Sequence, residues 1–241
     1  MQAYFFPYIG YFQLIDSTDK FIIYEHVGFR KGSWVTRNRI LDKGENKPTY
    51  INLSVSKKST KEIVSKVELT HREERKKAIE DLIFYNYKKA PYFKEIFSPV
   101  KELLHSTETN LHNYNAIITK NICELLGINT KILYKNKECL SIEEGLEESA
   151  KKTGNSTMTQ RVIDLCKYHN ARHYINPIGG TELYNKDDFR ASDLDISFIN
   201  SIPFSYPQFK APFVPGLSII DVMMHTGLDG TKEVLKNYSL I

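Results

Sequence analysis

The sequence predicts an α/β protein with an open, mostly parallel sheet of the nucleotide-binding type and an inserted helical block. Three observations predict it. Short β-prone runs alternate with helically spaced segments at both ends of the chain, the pattern of βαβ units. Turn chemistry punctuates them, at Pro7-Tyr8-Ile9-Gly10 and at Pro177-Ile178-Gly179-Gly180. From residue 73 to 127 the β-prone runs give way to sustained helical spacing. On this reading 1–72 and 128–241 form the α/β domain and 73–127 pack on it, one compact unit in all.

Residues 2–6 are a β-prone aromatic run broken at Pro7; Tyr11, Leu14 and Ile15 then recur at helical spacing, and 21–24 is a second β-rich run. Strand, loop, helix and strand in so few residues read as the front of a βαβ unit. A basic stretch follows from Phe29 to Leu41. Residues 47–56 read as a strand, 57–61 as basic and polar, and 64–69 as a further weak strand. Helices are predicted over 73–90, ended by Ala90-Pro91, over 93–105, and over 111–126, with Gly127 as the C′ residue. Residues 131–134 are a strand. The charged run around Glu143–Lys152, closing on Gly154-Asn155-Ser156, reads as a mobile loop or fraying helix. A helix through Val162 and Leu165, strands over 173–176 and 194–198, and a helix from Ser218 complete the pattern, with Ser218 as its N-cap.

Composition excludes several classes. The chain has 241 residues, 41% hydrophobic and 26% charged, which rules out disordered and fibrous proteins. No run of eighteen apolar residues exists, so no bilayer span is predicted. A net charge of +4 is too small to argue for nucleic acid. Cys123, Cys139 and Cys166 stand 16 and 27 residues apart without a CxxC pair, suggesting free thiols rather than zinc or disulfides. With no signal-peptide pattern at Met1–Pro7, the expected location is cytoplasmic. The aromatic content is skewed, 15 Tyr and 13 Phe beside one Trp, and Tyr4, Phe5, Phe6, Tyr8, Tyr11 and Phe12 crowd the first turn. Such faces suit a pocket that stacks a base or a sugar ring.

Four groups of residues carry candidate chemistry. In the first turn Gly10 would let phosphate approach the helix start, between Tyr8 and Tyr11. Its layout resembles the H-x-G-H turn of nucleotidyltransferases and pantothenate synthetases, with tyrosines where the histidines would stand. A purely structural turn explains it too. Arg37-Asn38-Arg39, with Arg30, Lys31 and Trp34 upstream, reads as a diphosphate clamp with a stacking face, or else as a solvated basic helix face. Asn176, Gly179 and Gly180 follow a strand and could aim backbone N–H groups at an anion, as could an ordinary loop. Asp221 stands three residues after Ser218, so capping competes with a catalytic role. Of seven histidines, His26 and His225 sit beside the best-marked segments.

These motifs together resemble the WbqC-like protein family. The resemblance rests on Tyr4-Phe5-Phe6-Pro7-Tyr8-Ile9-Gly10-Tyr11-Phe12-Gln13-Leu14-Ile15, on Trp34 with Arg37-Asn38-Arg39-Ile40, and on Lys89-Ala90-Pro91-Tyr92-Phe93. It continues through Tyr174-Ile175-Asn176-Pro177-Ile178-Gly179-Gly180, Tyr206-Pro207-Gln208-Phe209 and Leu217-Ser218-Ile219-Ile220-Asp221. The chain departs from the pattern at Ala3, where proline is expected, and at Glu25-His26-Val27-Gly28, where two acids and a glutamine are; an acidic ligand there would be Glu25 alone.

The resemblance implies a bacterial protein of surface-polysaccharide or O-antigen biosynthesis. The implied activity is a transferase that amide-links an amino acid such as glycine, or another acyl group, to an aminodeoxy sugar or its nucleotide diphosphate. ATP or the nucleotide sugar would be the bound nucleotide, with Mg²⁺ as a possible companion and no protein metal ligand assigned. Glu25, His26 and Asp221 are the catalytic candidates. Tyr8, Gly10, Tyr11, Trp34, Arg37, Asn38, Arg39, Asn176, Gly179, Gly180, Gln208 and Ser218 are the substrate- and nucleotide-binding candidates. Sugar nucleotidyl transfer and a non-catalytic binding partner are the alternatives.

Overall fold

The computed structural model describes residues 1–56, 62–135, 137–153 and 157–241. The chain forms two compact units, Met1–Tyr134 with Pro203–Asn237, and Lys135–Ile202 with Tyr238–Ile241. In chain order the elements are α1 (Ile9–Asp16), β1 (Lys20–Ile22), β2 (Arg37–Asp42), β3 (Lys47–Asn52), α2 (Arg72–Tyr87), α3 (Phe93–Leu104), α4 (Leu111–Leu125) and β4 (Lys131–Leu133). There follow α5 (Lys137–Thr153), α6 (Met158–Tyr168), β5 (His173–Pro177), α7 (Lys186–Arg190), β6 (Asp195–Ser201), α8 (Ile219–Leu235) and β7 (Tyr238–Leu240).

In place of the expected single open sheet, the described residues form three small ones. β1 and β4 pair in parallel, β2 and β3 form an antiparallel hairpin, and in the second unit β6 pairs in parallel with β5 and antiparallel with β7. The predicted strand at residues 2–6 does not form, and its hydrogen bonds explain why. Met1 bonds to β1 through the Ile22 carbonyl (3.0 Å) and the Tyr24 amide (2.7 Å), and the Phe5 amide reaches the Trp34 carbonyl (2.9 Å). Beyond these, side chains take the carbonyls that a neighbouring strand would have taken. Asn115 Nδ2 donates to Ala3 and Val35, Asn38 Nδ2 to Phe5 and Phe6, and the Tyr11 hydroxyl to Gln2. The aromatic run thus lies between β1 and β2 pinned by amides rather than laddered.

Two further expectations change. Residues 64–69 make a 3-10 turn (Val64–Lys66) and isolated bridges, Glu68 to Asn110 and Val55 to Leu69, instead of a strand. The charged run predicted as a loop or fraying helix lies in α5, where Arg161 from α6 grips the Glu143 carboxylate with two donors. Gly154-Asn155-Ser156 and Lys57–Lys61 lie outside the described residues.

In the first unit α1 is buried on every side except its last residue, and it packs along α8. Gln13, fully buried in α1, donates to the carbonyls of Val234 and Asn237, satisfying the C-terminal end of α8. α2, α3 and α4 are amphipathic and present Ile83, Ile96, Val100, Ile118 and Ile122 to the core. The second unit has its own core of Ile163, Cys166, Phe189, Leu194, Ile196 and Phe198, against which Tyr174 and Tyr184 pack.

Candidate functional site

Strand alternation builds the site. Arg37 and Arg39 are two residues apart on β2 and share one face, while Asn38 points to the other. The β2–β3 register sets Arg39 opposite Tyr50, which therefore joins the arginine face. Just before the strand, Trp34 lies under both guanidiniums, 5.9 Å from Arg37 and 5.3 Å from Arg39; the Arg37 head is 4.7 Å from the Tyr50 ring. Arg39 Nη2 donates to the Gly216 carbonyl (2.9 Å). Both Nε atoms are buried without a hydrogen-bond partner. Among the described residues no carboxylate pairs with either arginine. Two fixed, un-neutralised guanidinium forks backed by aromatic faces are a receptor for a phosphate or a diphosphate.

Small residues and helix starts surround these cations. A Cβ at Gly216 would stand 3.1 Å from Arg39 Nη2, a tight contact, and its φ of +67° lies in the left-handed region that favours glycine. Tyr8 and Ser218, the N-caps of α1 and α8, bridge one another; the Ser218 amide bonds to the Arg39 carbonyl and the Ile219 amide to Pro7. The two helices therefore begin side by side next to β2. α1 has no side-chain cap and no acid in its first turn, which holds Gly10, so its amides and dipole add positive potential. Tyr8, Trp34 and Tyr50 are 41%, 37% and 44% exposed, aromatic surface available to a ring.

Several candidates support this face from behind. Asn38 is buried and holds Phe5 and Phe6, with its Oδ1 accepting from the Arg39 amide. Tyr11 is buried, its hydroxyl pushed above the ordinary tyrosine range mainly by loss of solvent. Ser218 is buried as well; its hydroxyl caps Ile220 and donates to Phe6. Asp221 has no exposed surface and does not complete a capping box. Its carboxylate accepts from the hydroxyls of Tyr87 and Tyr206, both at 2.6 Å, and from Gln208 Nε2 at 2.9 Å. Burial first, and the Asp221 charge second, raise both tyrosines. Gln208 also clips Val214 by donating to its carbonyl and accepting from its amide. Asp221 and Gln208 thus fix the loop 203–217 that delivers Gly216 to Arg39.

Glu25 and His26 lie just past the carboxyl end of β1. Its parallel partner β4 ends beside it, with Ile22 opposite Leu133. His112, in the first turn of α4, donates from Nε2 to the carbonyl of Tyr134, the residue after β4 (2.8 Å).

Asn176, Gly179 and Gly180 belong to the second unit. Asn176 Oδ1 accepts from the Tyr174 hydroxyl (2.8 Å), and a Cβ at Gly180 would stand 1.7 Å from Asn176 Nδ2. Gly180 makes room for Asn176, while Gly179 faces open space within a 3-10 turn (Ile178–Glu182).

Tyr50, Gly216 and His112 were not legible as site residues. Tyr50 follows from the β2–β3 register, which residues 29–41, read as a basic stretch with no assigned strand, do not give. Gly216 reaches the arginine face, and His112 the end of β4, through distant chain segments, and neither leaves a local pattern.

These features define a mixed α/β protein with small parallel and antiparallel sheets, eight helices among the described residues, and an arginine–aromatic face flanked by two helix starts. The chain belongs to the WbqC-like protein family, which it matches over residues 2–233. It is 26% identical over 231 residues, 95% of this chain and 93% of the relative, to the uncharacterized protein Rv1507c of Mycobacterium tuberculosis (strain ATCC 25618 / H37Rv). No solved structure matches. Among the described residues no helix is long and apolar enough to cross a membrane.

Proposed function

We propose that this protein is a transferase that holds ATP or a nucleotide diphosphate sugar by its phosphates on Arg37 and Arg39, and amide-links an acyl group such as glycine to an amino sugar. The observation that carries the reading is the pair of un-neutralised guanidiniums fixed on Trp34 and Tyr50 with both Nε atoms buried and unbonded. A buried donor left unpaired is costly, so the site is built for an acceptor that arrives from outside. A carboxylate oxygen would attack the α-phosphorus of ATP as pyrophosphate leaves. The sugar amine would then attack the acyl carbon, AMP would leave, and the amine proton would pass to a base, for which His26 is the candidate. Holding both reactants and stabilising phosphate charge supply the rate. Among the described residues no three His, Cys, Asp or Glu side chains converge as a metal-binding group, so any Mg²⁺ would come held chiefly by the nucleotide phosphates.

The test is pyrophosphate release from ATP in the presence of glycine and a UDP-amino sugar. Release that requires both supports the reading. Release from a nucleoside triphosphate and a sugar phosphate alone replaces it with nucleotidyl transfer, and nucleotide binding without turnover replaces it with a binding role.

A further inference from the structure

Two histidine nitrogens at the carboxyl edge of β1 and β4 are buried without partners: Nε2 of His26 and Nδ1 of His112. His112 is 1% exposed, and its other nitrogen is committed as donor to the Tyr134 carbonyl. That bond fixes the tautomer, leaving a lone pair on Nδ1 inside the protein. An acceptor hidden from water with nothing to accept is a costly arrangement unless a proton arrives there in some state of the protein. His26 is only partly buried, so part of its ring is open to solvent-borne groups. Burial lowers the His112 pKa first; the Tyr134 bond and the Glu25 charge raise it, and His26 lowers it, so both neighbours are within electrostatic reach. Glu25 and His26, on the segment after β1, are the charged groups that act on it.

We infer that His26 and His112 form the proton-handling pair of this protein, His26 meeting the substrate and His112 acting through it as a positioning residue. The inference rests on the transfer reaction proposed above. As the amine nitrogen bonds to the acyl carbon and the bond to the leaving oxygen breaks, with its electron pair departing on that oxygen, the amine proton passes to the unprotonated nitrogen of His26. The resulting imidazolium gains an acceptor in His112 Nδ1, and Glu25 supplies the opposing charge.

The full-length protein with ¹⁵N-labelled histidine tests this by long-range ¹H–¹⁵N NMR. At pH 7 His112 is expected as the neutral Nε2–H tautomer, taking up its proton below the ordinary histidine range near 6.5. His26→Gln should move that titration upward and Glu25→Gln downward. In the pyrophosphate-release assay, His26→Gln should lower kcat by about 10²–10⁴-fold. His112→Gln should shift the acid limb of kcat with KM unchanged. A protonated or Nδ1–H His112 at pH 7, a titration indifferent to His26→Gln, or an unshifted pH profile in a folded His112→Gln protein overturns the inference. If the wild type shows no turnover, the transfer reaction falls, and the NMR coupling alone decides whether the pair exists.

Discussion

Arg37 and Arg39 differ from Lys77, Lys101 and Arg161 in what they lack. Lys77 leans on Asp81, Lys101 on Glu80 and Arg161 on Glu143, whereas Arg37 and Arg39 rest on rings. Sequence patterning singles out Arg37-Asn38-Arg39 as a cluster in which Asn38 adds a second type of ligand. Alternation along β2 turns it inward, where its amide is consumed by Phe5 and Phe6. Asn38→Ala should therefore act on stability, costing about 1–3 kcal/mol for the carbonyls left unpaired, read from urea unfolding; a loss below about 0.5 kcal/mol would contradict this role. Arg39→Lys keeps charge but loses the planar fork that spans Trp34 and Gly216, so weaker nucleotide binding with little change in unfolding midpoint is expected. Undiminished binding by that variant would show that charge alone suffices.

At the scale of elements, helices were the most legible parts, because apolar spacing and the Ala90-Pro91 and Gly127 stops act within one segment. Strand partners were less so. Residues 2–6 carry the composition of a strand, yet their carbonyls go to Asn38 and Asn115, side chains 33 and 112 positions away in the cases of Phe5 and Ala3. No local pattern reports that. The break in α8 is another such feature: Gly227 has φ +70°, and a Cβ there would meet the Tyr92 ring at 2.6 Å. Gly127, which ends α4, has a similar φ of +69° but open space around it. Gly127→Ala should thus cost about 1 kcal/mol from backbone strain alone. Gly227→Ala adds overpacking and should cost about 1–3 kcal/mol more. Equal losses in thermal unfolding would mean that Tyr92 yields freely.

Across the whole molecule, buried tyrosines turn the early aromatic surplus into a pH dependence. Tyr11, Tyr87, Tyr174 and Tyr206 are all raised, chiefly by burial. A raised tyrosine binds its proton more tightly folded than unfolded, so stability is complete below about pH 10 and falls as pH rises beyond it. Urea midpoints should hold from pH 8 to about 9.5 and then drop; a flat profile to pH 11 would contradict that burial. Cys123 and Cys166, pushed up to about 12 and about 11 by burial, should resist alkylation at pH 8 until the chain unfolds. Ten of the 28 tyrosines and phenylalanines are buried in the core, and the part exposed at the arginine face is narrower, Tyr50 with Trp34. Phosphate recognition by the arginine face is the central property of the site, and calorimetric titration with ATP, UDP and dTDP tests it most directly. At least one of them should bind, with Arg37→Ala weakening that binding by about 1.5–3 kcal/mol. No heat from any of the three nucleotides, or the same affinity after Arg37→Ala, would contradict it.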